Sequence, residues 1–182
     1  MKLYYTTTVS PTVEQKRTDL SLGGYKSLTA VPNNNFGNLF SDISYYSVIH
    51  NQDEYIGLVL RNEIQIEGQG VDVNNILLWF TYPTGCQKKI AIAAVTLSNN
   101  QMEHIDTPFQ APYYATFYEA DGEENAVNIG GLVYNGVIGL WFKKSILLDA
   151  IRAQQDDTYL EEHIDDPINK VEDIILNISY EP

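Results

Sequence analysis

Three histidines, a single cysteine and two dense acidic stretches are the residues of this 182-residue chain whose types could do chemistry. His50, His104 and His163 stand apart from one another, and none forms the i, i+4 pair that places two imidazoles on one helix face for a metal. Cys86 follows the turn-forming Pro83-Thr84-Gly85 with no histidine nearby in sequence to take its proton. A single thiol also excludes an intramolecular disulfide. Asp121-Gly122-Glu123-Glu124-Asn125 begins like a calcium loop, yet Ala126 and Leu132 occupy the places where an EF-hand requires Gly and Glu. It reads as an acidic turn between strands. Glu161-Glu162-His163-Ile164-Asp165-Asp166 is rich in carboxylates, but acid–base work on a sugar needs a pair held about 5–9 Å apart beside a binding surface. That stretch has no neighbouring aromatic platform. No Gly-x-Ser-x-Gly and no phosphate loop occur. The expectation is a chain that is not an enzyme and uses no cofactor and no metal.

Aromatic residues are the other candidates. Trp79, Phe80, Tyr82, Tyr113, Tyr114, Phe117, Tyr118, Trp141 and Phe142 have the chemistry of a sugar-stacking platform. All lie in strand-like runs, where alternation buries about half of such side chains, so core is the preferred reading.

Composition bounds the partners. With 24 acids against 11 bases, the net charge is −13. Phosphate backbones are bound largely through Lys and Arg, so neither nucleic acid nor an anionic membrane is an expected partner. The charge is uneven. Residues 1–31 hold Lys2, Lys16, Arg17 and Lys26 against Glu14 and Asp19, whereas residues 145–182 hold ten acids against Arg152 and Lys170. A basic start and an acidic end could meet in a neighbouring copy, although a solvated acidic face is the simpler reading. No apolar run approaches the ~18 residues of a membrane span, and the first residues do not read as a signal peptide.

The elements that must position these residues are short. Runs at 55–61, 76–82, 88–95, 113–118, 137–143 and 174–180 are rich in β-branched and aromatic types and bounded by Gly, Pro, Asn and Asp. Weaker runs lie at 102–105 and 127–132. The spacing predicts an all-β fold, an antiparallel β-sandwich of about seven or eight strands. Residues 1–50 differ: Thr-rich at first, then Gly23-Gly24 and Val31-Pro32-Asn33-Asn34-Asn35-Phe36-Gly37-Asn38, with sparse apolar residues. They read as an extended arm, leaving 51–182 as the folded domain. Asn38–Ile43 reads as a helical turn or the arm's docking point. Ser145–Arg152 has a Ser cap and helical residue types, and an acidic stretch follows, so 145–169 reads as a long, partly helical insertion before the last strand.

A family likeness follows from Glu54-Tyr55-Ile56-Gly57-Leu58-Val59-Leu60-Arg61-Asn62, Asn75-Ile76-Leu77-Leu78-Trp79-Phe80, Lys89-Ile90-Ala91-Ile92-Ala93, Phe117-Tyr118-Glu119-Ala120 and Ile138-Gly139-Leu140-Trp141-Phe142-Lys143-Lys144. In this order the segments resemble small β-sandwich structural proteins of tailed-bacteriophage virions, including the neck and tail-ring type of crAss-like phages. Leu22-Gly23-Gly24-Tyr25 and Asn38-Leu39-Phe40 suit the same pattern, and the likeness spans about residues 20–145 and 171–180. Ile56 stands where that pattern commonly has Arg, and Lys143-Lys144 where Arg is typical, so the subunit contacts of relatives do not carry over. The resemblance implies a virion part made in the host cytoplasm, with no catalytic residues.

Two functions compete. The first is a structural subunit assembling into a ring or collar of the phage neck or tail, with copies of itself and neighbouring tail, portal or collar proteins as partners. The arm and the insertion would be its assembly devices. Each buries too little apolar surface to offset an ordering cost of about 1–2 kcal/mol per residue, so neighbours must supply the order. Tyr4, Tyr5, Val9, Leu20, Leu22, Tyr25, Leu28 and Phe36 would be the arm's anchors. Asp156, Asp157, Glu161 and Glu162 would be the insertion's charges at the interface. The second is a head-fibre, decoration or collar module binding host-surface glycans through exposed aromatics such as Tyr45, Tyr46 or Tyr134. A cell-envelope hydrolase is set aside for want of a catalytic constellation.

Overall fold

A computed structural model describes residues 1–32, 40, 50–86, 88–146 and 174–182. Among them the chain is almost entirely β. The strands are β1 (Lys2–Thr7), β2 (Gly23–Ala30), β3 (Glu54–Arg61), β4 (Gln65–Ile66), β5 (Gln69–Gly70), β6 (Asn74–Thr81), β7 (Lys88–Val95), β8 (Gln101–His104), β9 (Tyr118–Glu119), β10 (Val127–Asn128), β11 (Val137–Ile146) and β12 (Ile175–Glu181). Two 3-10 turns, Thr18–Leu20 and Glu123–Asn125, interrupt them.

Seven strands form one large, curled antiparallel sheet in the order β8-β2-β1-β3-β11-β7-β9. Three more form the sheet β10-β6-β12, and β4 and β5 make a small hairpin. The central strand β3 is buried from Glu54 to Leu60, which is why its sequence reads as a continuous apolar run. Its even and odd residues enter different clusters. Ile56, Leu58 and Leu60 join Leu140, Phe142, Ile90, Ile92 and Tyr5 with Ile76, Leu78 and Phe80 of β6. Tyr55 and Val59 join Trp141, Ala93, Leu22, Met102 and Ile105 on the other side. Both faces of the large sheet are therefore covered.

Local chemistry sets the turns and the curl. Asn99 and Asn100 both have positive φ, and the Ser98 and Gln101 amides each donate to the other's carbonyl at 2.9 Å, closing the tight turn into β8. Gly23, with φ 91°, sits at a register shift between β2 and β8. A Cβ there would lie 1.9 Å from the Glu103 carbonyl oxygen and 3.1 Å from the Trp141 ring, so only glycine lets β8 close over the indole.

The expected strands at 55–61, 76–82, 88–95, 137–143 and 174–180 are present within a residue or three of their expected ends. Three expectations give way. Residues 2–30 are not an arm lying outside a domain that begins at 51: β1 pairs with β3 along Lys2–Tyr5 and with β2 on its other side. Tyr4, Tyr5, Thr6, Thr7, Ser21 and Leu22 are buried. Ser145 and Ile146 end β11 and do not open a helix; the rest of the 145–169 insertion, like residues 33–39 and 41–49, lies outside the described residues. Of 113–118 only Tyr118 is strand.

A polar network explains how so Thr-rich a segment is buried. The Thr6 amide donates to Ser21 Oγ at 2.8 Å, and the Gly23 amide donates to Thr6 Oγ1 at 3.0 Å. Both hydroxyls point at the Gly57 carbonyl, 2.8 and 2.6 Å away, while the Gly57 amide donates to the Ser21 carbonyl at 2.7 Å. Satisfied in this way, the hydroxyls avoid the desolvation cost of burial.

Candidate docking surface

β8 ends at His104 on one edge of the large sheet and β9 begins at Tyr118 on the other, so residues 105–117 must cross a face of the sheet. The crossing is a strap with two sides. Inward, Ile105 is buried, and Ala115 and Phe117 pack against the cluster of Val59 and Trp141. The Phe117 ring lies 5.6 Å from that of Tyr55. The Ile105 amide donates to the Leu22 carbonyl at 3.0 Å and the Tyr55 amide to the Pro108 carbonyl at 2.6 Å, tying the strap to β3 and to the start of β2.

Outward, the strap presents Phe109, Tyr113 and Tyr114. Tyr113 is 83% exposed and Tyr114 79%. The two rings meet edge to face, with centroids 4.8 Å apart and planes at 83°. Their backbone is clamped by one carboxylate: Glu103 Oε1 accepts from the Tyr113 amide at 2.8 Å and Oε2 from the Tyr114 amide at 3.1 Å. Charge-assisted bonds of this kind fix the strap to β8. Large, held aromatics offer contact area at low entropic cost on binding.

Other expected site residues are scattered. Tyr4, Tyr5 and Leu22 spend their apolar surface inside the chain, Tyr25 is half-buried, and Val9, Leu20 and Leu28 remain exposed. Phe36, Tyr45, Tyr46, Asp156, Asp157, Glu161, Glu162 and His163 lie outside the described residues. Tyr134 packs its ring on Gly70, and its hydroxyl accepts from Gln65 Nε2 at 2.6 Å. Among the nine aromatics of the strand-like runs, Phe80, Trp141 and Phe142 are fully buried, whereas Tyr113, Tyr114 and Tyr118 are exposed.

Among the described residues the polar candidates build no reactive centre. His104 Nδ1 lies 3.1 Å from the Leu22 carbonyl oxygen. Asp121 accepts from Asn125 Nδ2 at 2.9 Å within its own turn. Cys86 closes a turn, its amide donating to the Pro83 carbonyl at 3.2 Å. Among the described residues no cluster of His, Cys, Asp or Glu is arranged to hold a metal.

Charges gather instead at the two ends of β3 and β11. At one end Lys144 pairs with Glu54, both buried, and Lys143 pairs with Asp53 at 2.9 Å. The hydrogen bond to Asp53 raises the Lys143 pKa above its ordinary value. At the other end Glu63 meets Lys2 at 3.0 Å, Arg61 at 3.4 Å and the Tyr4 hydroxyl at 2.5 Å. Burial pushes the Glu63 carboxyl up, but the Tyr4 and Lys2 hydrogen bonds and the nearby cations outweigh it and hold it below its usual value.

Compared with protein-family models, curated proteins and solved structures, the chain gives no match.

Proposed function

We propose that the chain is a structural subunit of a tailed-phage virion, a β-sandwich made by the large sheet and the sheet β10-β6-β12, which docks on neighbours to build a ring or collar. The observation that carries the docking is the Tyr113–Tyr114 pair, exposed yet held in one geometry by Glu103. Interface hot spots are enriched in such aromatics, and their prior ordering reduces the cost of association. The virion assignment rests on the resemblance of the strand segments. The strap and the still-exposed Val9, Leu20 and Leu28 take over the role expected of a free arm.

The test is mass spectrometry of purified phage particles, comparing the normal subunit with Tyr113→Ser/Tyr114→Ser. The subunit is expected in particles, and the double variant is expected to fold normally yet be depleted from them. Absence of the normal subunit from particles would overturn the virion reading. Incorporation of the variant at the normal level would remove the strap from the interface. Reproducible glycan-array binding lost in the variant would replace docking with the host-glycan module.

A further inference from the structure

The sheet carries different charge balances at its two ends. Where β11 finishes, Lys143, Lys144 and the neighbouring Lys89 are matched one for one by Asp53, Glu54 and Glu119. At the other end, where Val137 stands opposite Arg61, Lys2 and Arg61 both pair with Glu63, and Lys26 stands near Arg61 and Glu63. Among the described residues no carboxylate lies within ion-pair distance of Lys26. Its ammonium sits 4.0 Å from the centre of the Tyr4 ring and donates to the Ser27 carbonyl at 2.9 Å. Burial and then Arg61 lower its pKa, against a smaller raising effect of Glu63. A local excess of positive charge is unexpected on a chain of net charge −13.

The chain's most acidic stretch follows β11 in sequence. β11 runs ten residues from Val137 to Ile146, roughly 30 Å at about 3.3 Å per residue, and 147–173 follows its far end. Between Arg152 and Lys170 that stretch holds Asp156, Asp157, Glu161, Glu162, Asp165 and Asp166 with no Lys or Arg. A basic patch and an acidic segment carried by the same chain suit contact between copies, and a heterologous contact of this kind can close a ring.

We propose that the Lys2–Lys26–Arg61 patch is the docking site for the acidic segment 156–166 of a second copy of this chain. The partner assignment rests on the reading of the chain as an assembling subunit. A carboxylate from the neighbour would supply the counter-charge that Lys26 lacks, while Glu63 keeps Lys2 and Arg61 in place.

The experiment is sedimentation of the purified full chain, with no particle present, at ionic strengths of about 0.05 and 0.5 M, between which screening shortens from roughly 14 to 4 Å. Self-association is expected at low salt and loss at high salt. Lys2→Glu/Lys26→Glu should weaken association at least about tenfold, and adding Asp156→Lys/Asp157→Lys to that chain should restore it. Lys26→Gln, which removes the charge without reversing it, should weaken it less, and thermal melts show that each variant is folded. A chain that stays monomeric at low salt, or association indifferent to Lys26→Glu, overturns the proposal. Particle incorporation of Tyr113→Ser/Tyr114→Ser is read separately, so failure here leaves the strap and the virion reading standing or falling on their own test.

Discussion

The Tyr82 hydroxyl occupies the place of a missing strand beside Ile90: it accepts from the Ile90 amide at 2.8 Å and donates to the Ile90 carbonyl at 3.1 Å. β9 pairs with β7 only at Ala91 and Ile92, so Ile90 lies just past the end of its neighbour. One phenol thus satisfies both backbone groups at an edge and ties the end of β6 to the large sheet. Tyr82→Phe keeps the ring and leaves both groups without their partner. It should cost about 1–3 kcal/mol, read as a lower urea midpoint with an unchanged slope. A cost below about 0.5 kcal/mol would mean that water replaces the hydroxyl freely.

Alkaline titration tests the same contact in another way. Burial raises the Tyr82 pKa from 10.0 to about 12, against the smaller lowering effect of its bond to Ile90. The folded chain then holds a proton that the unfolded chain releases, so this contribution is complete below pH about 10 and is lost as pH rises towards about 12. The stability difference between the normal chain and Tyr82→Phe should therefore narrow across that window. A difference that stays constant would place the phenol in an environment no drier than the unfolded chain.

Two glycines separate backbone strain from crowding. Gly23 and Gly68 both have positive φ, 91° and 79°, but a Cβ on Gly68 meets nothing within 4 Å, whereas on Gly23 it meets the Glu103 carbonyl oxygen at 1.9 Å. Gly68→Ala should cost about 1–2 kcal/mol, the left-handed penalty alone. Gly23→Ala should add an overpacking cost of about 1–3 kcal/mol. It should also loosen β8, and with it the Glu103 clamp on the tyrosines, seen as faster amide exchange at Tyr113 and Tyr114. Equal costs at the two sites would show that β8 yields easily.

Where burial followed alternation or a continuous apolar run, the residues announced their strands: β3, β6, β7 and β11 are legible from Tyr55, Ile76, Ile90 and Ile138 onward. β1 was hidden because its buried partners are polar. Thr6 and Thr7 look like solvent-facing residues until Ser21 and the Gly57 carbonyl, 15 and 51 positions from Thr6, satisfy Thr6. Gly23-Gly24 read as a turn because positive φ is common there, whereas here it bends a strand into register with β8. Tyr113 and Tyr114 carried the opposite error. Their β propensity suggested a core strand, and nothing local revealed that Glu103, on the preceding strand, would take their amides and turn the rings outward. Long-range hydrogen bonds decided each of these cases, and short-range pattern does not contain them.

The position of β1 decides what truncation does. A dispensable arm would leave the sheet intact when removed, but β1 lies between β2 and β3, and its loss exposes the edge of a strand buried from Glu54 to Leu60. Deleting residues 1–30 takes away Tyr5 and Leu22, one from each hydrophobic cluster, together with the hydroxyls that satisfy the Gly57 carbonyl. The stacked costs of two large cavities and an unsatisfied buried group, each about 2–5 and 1–3 kcal/mol respectively, approach or exceed the 5–15 kcal/mol total stability of a typical domain. The truncated chain should therefore lose cooperative unfolding and aggregate through the exposed β3 edge. Circular dichroism melts and amide exchange along Glu54–Arg61 measure this directly. A truncated chain with a sharp transition and protected β3 amides would show that β3 is held by β11 alone and return residues 1–30 to the status of an arm.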